Sequence, residues 1–402
     1  MALLSVTEAL ERVLARAAPL PVEEAPLAEA DGRVLAYALK ARRTQPPADV
    51  SAMDGYAVRT DDVANAPARL KIIGEVAAGR PFARAVGRGE AARIFTGGVV
   101  PDGADTVVIQ EFTKREGDCV EVQRPTTKGR HIRAQGLDFT AGDTLLPAGH
   151  RLTARDLALA AAMNHPLVPV HRRPKVAMFA TGDELVPPGV EPGSGQIVSS
   201  NTFAIAALAR TEGAEAADFG IVADRLDDTV AAIRRAREYG ADILITSGGA
   251  SVGEYDLVQK AFAAEGMELS FWKLALRPGR PLMHGRLGAM QVLGVPGNPV
   301  SAFVCGFLFL VPLIRRLAGR SDLTMPTESG LLGCDLPPND ERADYLRATL
   351  SEGPEGLLAT PFPVQDSSMM APLAKADCLL IREPYEPAAK AGSRCTIIRL
   401  QH

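Results

Sequence analysis

Val6, Leu10, Val13 and Leu14 recur with the period of a helix face, and Ser5 and Glu8 stand at capping-box spacing before them. The chain is therefore expected to open with a helix from about Ser5 to Ala17, whose acidic residues argue against a signal peptide. From Asp49 to about Asp143 the pattern becomes short apolar runs separated by Gly and Pro, among them Leu70–Ile73, Ala92–Phe95, Thr106–Ile109 and Cys119–Val122. That punctuation predicts a small β-rich unit. Asp156 to Met163 reads as a helix returning from it.

Beyond Pro166 and Pro169, strands and helices alternate. Val176–Thr181 is a buried-strand run, Asn201–Glu212 a helix ended by Gly213, and Phe219–Val222 a short strand. A helix starts near Asp227 and stops at Gly240, Asp242–Thr246 is a strand, and Tyr255–Glu265 is a helix after a Gly-rich loop. This alternation predicts a doubly wound, mostly parallel sheet that holds ligands at the carboxyl ends of its strands. The apolar run Val300–Ile314 is interrupted by Gly, Cys and Pro and reads as a buried helix, not a membrane span. After Met325 short strands return at Tyr345–Leu350, Cys378–Ile381 and Cys395–Ile398, as in a small β-barrel. The expected fold is thus multidomain α/β: a discontinuous N-terminal helical linker domain (1–48 and 140–172), an inserted β-rich domain (49–139), the central α/β domain (173–322) and a C-terminal β-barrel-like domain (323–402).

Composition narrows the function. The 402 residues are 47% hydrophobic and 23% charged, as in globular protein with several domains. A net charge of −4 without a basic block argues against a nucleic-acid surface. The five cysteines are scattered and never form C-x-x-C, and the six histidines are dispersed. That distribution predicts reduced cytoplasmic thiols and no protein-built zinc or iron–sulfur centre.

The unusual residues gather in loops after the predicted strands. Asp183 and Glu184 follow the first strand of the α/β unit, although a capping Asp beside a solvated Glu explains the pair about as well as a ligand site. Ser247, Gly248, Gly249 and Ser251 precede a helix, an arrangement suited to an oxyanion but also to a tight turn, and the loop has no Walker lysine. Glu254 and Asp256 beside such a cradle would repel phosphate unless a divalent cation lay between them, which points to Mg2+. Pro296 and Asn298 lead from a strand into a helix, where ordinary helix-start chemistry is the alternative. Lys273, Arg277 and Arg280 fall within eight residues and suit an anionic ligand, or simply a solvated strand. Taken alone, the segments around Asp54 and Thr96 are more often loops with capping acids than sites.

In order along the chain, SAMDGYAVR, IFTGGVVPDGADTVVIQE, GLDFTAGDTLLPAGHRL, ATGDEL, TSGGASVGEYD, FWKLALRPGRP and GVPGNPVSA resemble the signature of molybdopterin molybdenumtransferases, the family that includes the C-terminal domain of gephyrin. The resemblance spans about 300 residues and is loose before residue 46 and in the last domain. It implies Mg2+-dependent insertion of molybdate into the dithiolene of adenylylated molybdopterin, with release of AMP. Since no cysteine cluster is present to hold molybdenum, the sulfur must belong to the substrate.

Carried over by position, the resemblance implies an acidic, metal-holding site of Asp183, Glu184 and Asp256, with Asp224 nearby. Ser247, Gly248, Gly249 and Ser251 would contact phosphate or nucleotide, and Lys273 would be a cation for molybdate or pyrophosphate. Asp54, Thr96, Arg133 and Asp138 match positions that, in this family, complete the site of a partner in a homodimer. Arg347 and Ser367 or Ser368 are the matches in the last domain. Arg277 and Arg280 depart from the pattern, since many relatives carry lysines there; arginine keeps the charge but not the compact ammonium. The molybdopterin adenylyltransferase is an implied partner, and neither nucleic acid nor membrane is. Rival readings are a relative of that adenylyltransferase or of nucleotide pyrophosphatases, which need only the central domain, and a non-catalytic gephyrin-like scaffold.

Overall fold

The computed structural model describes residues 3–80, 82–248, 257–354 and 356–400. Its central sheet has six strands: β1 (Lys175–Thr181), β2 (Glu215–Val222), β3 (Ile243–Ser247), β4 (Glu268–Phe271), β5 (Met283–Leu287) and β6 (Met290–Val295). Their spatial order is β2-β1-β3-β6-β5-β4. β1 is parallel to β2 and β3, and β3 to β6, while β5 runs antiparallel to both of its neighbours. Layers of helix cover both faces, so β1 and β3 are buried almost throughout and read as unbroken apolar runs instead of alternating ones. One layer puts Ile205 and Ala209 of helix Asn201–Thr211 with Val300 and Val304 against Met178 and Ile245. The other puts Ile233 and Ala236 of helix Leu226–Tyr239 and Phe262 of helix Leu257–Ala264 against Phe179 and Leu244. Gly240 ends the longer helix at φ 72°, the left-handed cap its position predicts.

The first helix, Val6–Ala15, has both hydrogen bonds of the Ser5–Glu8 capping box. Its Ala9 and Val13 enter the central core, so it packs with the α/β unit and not with the linker unit into which the sequence reading placed residues 1–48. The remainder of that linker unit is also less helical than expected. It consists of the antiparallel pairs Val22–Pro26 with Leu167–His171 and Leu39–Lys40 with Thr144–Leu146, beside helix Ala154–Ala162, around Leu35, Leu152, Met163 and Val168. These strands are too short to show a period, and only their pairing across more than a hundred residues defines them. The inserted unit is a six-stranded mixed sheet, in the order Thr106–Ile109, Gly55–Val58, Glu90–Ile94, Ala68–Val76, Cys119–Val122, Thr113–Glu116.

The last domain closes into a barrel. Strand Ala343–Gly353 pairs with Gly356–Pro361 on one side and Cys378–Arg382 on the other, and Thr327–Leu332 and Arg394–Arg399 complete the ring. Closure removes free strand edges, and Leu332, Ala348, Ala359, Leu380 and Ile397 fill the interior. The run 299–317 is the one helical stretch among the described residues that is long and apolar enough to cross a membrane, and it is 89% buried inside the protein. It widens to a π-helix over Gly306–Leu310, where Val311 donates to the Gly306 carbonyl. Pro312 has no N–H for the Leu308 carbonyl, and its ring crowds that oxygen, which accounts for the change of register. Arg315, near the end of this run, makes a buried bidentate pair with Glu212 at 2.9 Å, and Arg320 adds a third bond at 2.7 Å. Breaking such a buried pair costs about 3–5 kcal/mol.

His284 on β5 is 3% exposed, lies against Phe271, and has Nε2 3.2 Å from Gln291 Oε1. Burial pushes its pKa from 6.5 down to about 4. The unfolded chain therefore binds this proton first as pH falls, so the neutral imidazole's contribution is intact above pH 6.5 and is lost toward pH 4. That loss is expected to reach about 3 kcal/mol. Melting curves of the His284→Gln variant should show a flatter acid limb over this window, and an unchanged limb would contradict the assignment.

Candidate functional site

The chain runs from β1 outward to β2 and returns across β1 to β3, so the strand order reverses between β1 and β3. Loops leaving adjacent strands in opposite directions open a crevice at the carboxyl ends. Thr181, Val222, Ser247 and Val295 end four of the five parallel strands at that edge. The loops that follow them touch. Gly248 has φ 94°, and a Cβ there would lie 2.2 Å from the Thr181 carbonyl oxygen, so only glycine allows the approach. Asn201, at the start of its helix, donates to Ser247 Oγ at 2.8 Å and to the Gly297 carbonyl at 2.7 Å, tying three segments together.

The acids lie on the same edge. The Asp183 carboxylate accepts from the Asp224 backbone N–H at 3.2 Å, and Asp224 in turn accepts from the Thr181 hydroxyl at 3.4 Å. Asp183 and Glu184 are exposed. The Glu184 carboxylate folds back over Gly182, where an added Cβ would meet its oxygens at 2.5 and 2.7 Å. Gly249, Ser251, Glu254 and Asp256 lie outside the described residues.

β4 is parallel to β3 and β6, because each is related to its neighbour through antiparallel β5 or by direct parallel pairing. Lys273 therefore leaves the sheet at the same edge, three strands from β3, or roughly 14 Å at about 4.8 Å per strand. Its ammonium is exposed, 5.6 Å from the centre of the Trp272 ring. Arg280 is also exposed. Arg277 differs: its guanidinium holds Asp340 at 2.9 Å, Asn339 at 3.1 Å and Asp344, all in the barrel domain.

A second set forms on the inserted domain. Asp54 accepts from the Thr96 N–H at 2.7 Å and hydroxyl at 2.9 Å, and these bonds hold its carboxyl below the usual range. Arg133 pairs with Val50, and Ser51 is bonded to Gly97 and Gly98, so strand Val50–Ser51 gathers the Asp54, Thr96 and Arg133 segments side by side. Asp138 follows within the connection back to Gln45. Arg133 and Asp138 are exposed, and among the described residues no hydrogen bond or ion pair links the side chains of these four to the central sheet.

Pro296 is buried, and Asn298 Nδ2 donates to Ser367 Oγ at 2.8 Å. The Val300 N–H of the same helix start donates to the Ser367 carbonyl at 3.0 Å, so a barrel loop caps this turn. Arg347 is 1% exposed and donates to Gln365 Oε1 at 3.2 Å and the Met369 carbonyl at 2.9 Å, which fixes that loop from beneath. Arg347, the position matched in the last domain, thus supports the loop that carries Ser367. Asn201 was missed in the sequence as a site residue; its only signal there is a Ser-Ser-Asn run ahead of a helix.

Three family matches cover nearly the whole chain: residues 4–164 match the MoeA N-terminal region (domain I and II), 177–316 a probable molybdopterin binding domain, and 329–400 the MoeA C-terminal region (domain IV). A molybdopterin molybdenumtransferase of Haemophilus influenzae is 33% identical over 387 residues, 96% of this chain and 95% of that one. One from Nostoc is 42% identical over 297 residues, 72% and 68% of the respective chains. A solved molybdopterin biosynthesis MoeA protein from Pyrococcus horikoshii superposes with TM-score 0.85 at 30% identity, covering 100% of each chain.

The closeness of Gly248 to Thr181 can be tested directly. Gly248→Ala should lower the unfolding free energy by about 1–3 kcal/mol from backbone strain alone. A variant with a wild-type denaturation curve would show that the strand ends tolerate a wider separation.

Proposed function

The chain belongs to the molybdopterin molybdenumtransferase family and is a transferase of molybdenum cofactor biosynthesis, and from that premise we propose that it inserts molybdate into the dithiolene of adenylylated molybdopterin, with Mg2+ and release of AMP. The observation that carries this reading is the meeting of Thr181–Glu184, Asp224, Ser247–Gly248 and Gly297 where the strand order reverses.

The donor chemistry suits a hard divalent ion. Asp183 and Glu184 present exposed carboxylates, and no hydrogen bond among the described residues engages the Glu184 carboxylate oxygens. With Asp256 they would hold Mg2+, which supplies charge neutralisation beside phosphate oxygens. Ser247, Gly248, Gly249 and Ser251 would bind the pterin phosphate or nucleotide through N–H and hydroxyl groups. Lys273 and Arg280 are exposed cations suited to molybdate. Pro296 and Asn298 shape the turn beside Ser247.

We further propose a homodimer in which Asp54, Thr96, Arg133 and Asp138 of one subunit complete the site of the other. Asp54, fixed by Thr96, and Asp138 would handle protons and orient substrate, and Arg133 would bind its anionic part. Two exposed apolar sets support this reading: Ile197 and Phe203 follow the Asp183–Glu184 loop, at 57% and 59% exposure, and Leu137 lies beside Asp138 at 66%. The proposed supplier of substrate is the molybdopterin adenylyltransferase. The proposed setting is the cytoplasm, which suits the five unpaired thiols.

Glu184→Ala should reduce AMP release and cofactor formation from adenylylated molybdopterin, molybdate and Mg2+ by about 100-fold or more. Its circular dichroism and melting temperature should match the wild type, because the side chain holds no hydrogen bond among the described residues. Full activity in this variant would remove the acid pair from the reaction.

A further inference from the structure

Within the segment 273–280 the three cations are not equivalent. The Leu274 N–H donates to the Arg280 carbonyl at 3.0 Å, which closes residues 274–280 into a loop. Lys273 and Arg280 lie together at its base, and Arg277 lies toward its tip. The loop is wedged on two sides. Gly279, at φ 125°, approaches so close to the helix Pro299–Cys305 that a Cβ there would be 2.7 Å from Cys305 Sγ. On the other side Leu276–Arg277 adds in parallel to barrel strand Ala343–Gly353, with Leu276 opposite Ala343 and Arg277 opposite Asp344.

Arg277 grips three groups of the barrel at once: Asp340, Asn339 and Asp344. Each is itself fixed. Asn339 Nδ2 donates to the carbonyls of Arg342 at 2.8 Å and Glu383 at 2.9 Å, and Asp340 also accepts from Arg342. Asp344 is 4% exposed, and its Oδ1 is buried with no hydrogen-bond partner, so the Arg277 guanidinium is the cation that compensates its burial. A planar fork with several donors can make these bonds together, whereas an ammonium has neither the reach nor the geometry.

We propose that Arg277 is a positioning residue, not a ligand of the substrate: by clamping the loop 274–280 to the barrel through Asp344, Asp340 and Asn339, it sets where Lys273 and Arg280 stand at the sheet edge. The proposal rests on the functional reading above for what those two cations bind. Through this clamp and the Ser367–Asn298 contact, the barrel holds the sheet edge at two separate points.

The full-length chain can decide this with four variants: Arg277→Met, Arg277→Lys, Asp344→Asn and their combination Arg277→Met with Asp344→Asn. If the clamp positions Lys273, Arg277→Met raises the KM for molybdate by about tenfold with kcat changed far less, Asp344→Asn raises it in the same direction, and the combination is no worse than Arg277→Met alone, because that variant already removes every bond of the grip. Arg277→Lys should fall with Arg277→Met despite its charge. A cation that touches molybdate directly gives the opposite pattern: wild-type behaviour in Arg277→Lys and an unchanged or lower KM in Asp344→Asn, and either result overturns the proposal. Amide hydrogen exchange supplies a readout that needs no turnover. Exchange of Leu274 and Ala275 should accelerate about tenfold or more in Asp344→Asn and in Arg277→Lys. Unchanged protection there overturns the clamp even if the wild-type chain proves inactive, while accelerated exchange in an inactive chain leaves the clamp standing and removes the functional reading instead. Should Asp344→Asn not fold, Asp340→Asn, at the more exposed end of the same grip, replaces it with the same expected signs.

Discussion

Everything at the ligand edge depends on one close approach of backbone to backbone. β1 and β3 are neighbours in the sheet but are separated in sequence by the whole of β2 and two helices, and Gly248 lies almost against the Thr181 carbonyl. Without a side chain at that point, the end of β3 at Ser247–Gly248 can lie against the start of the loop that carries Asp183 and Glu184. Asn201 then bonds across to the turn after β6, so the edge behaves as one structure instead of three independent loops. The buried apolar layers on both faces keep the strand ends in register, and the edge inherits its rigidity from them.

Charge is distributed around this edge by burial. Carboxylates of the Asp183–Glu184 loop stay in solvent, where a hard cation can reach them, whereas Asp344 is buried and is matched by an arginine from another domain. The same logic operates at Glu212, where two arginines neutralise one buried carboxylate and tie the end of a surface helix to the apolar run through the core. Arg347 is buried too, yet it is satisfied by carbonyl and amide oxygens, which lets it hold a loop without drawing a carboxylate into the barrel. Arg277, Arg315 and Arg347 thus serve as fasteners, the first between two units and the others within one.

Local signals in the sequence were sufficient wherever one segment decides its own structure. The Ser5–Glu8 cap, the run that became β1 and the stop at Gly240 all follow from spacing within a dozen residues. The β-rich insertion and the barrel were visible as punctuation, though not the strand order that closes the ring. What spacing could not reveal is partnership. Arg277 reads the same as Lys273 in a row of cations, and only the fold brings Asp340 and Asp344 beside it. Asn201 reads as a helix start, and Ala9 as part of an isolated helix, until the central core is assembled around them. The family likeness could point to Arg347 as a matched position but not to its burial, because burial belongs to the loop that folds over it.

The inserted β-rich unit leaves and rejoins the chain at adjacent points: Gln45 and Phe139 are bonded to each other, Asp138 donates to Gln45, and Gly136 donates to Pro46. Two chains running side by side and laced by hydrogen bonds form a ribbon, which flexes out of its plane more readily than it shears within it. Any swing of the unit is thereby confined to something like the arc of a door, and the face bearing Asp54, Thr96 and Arg133 turns as one piece about that single axis.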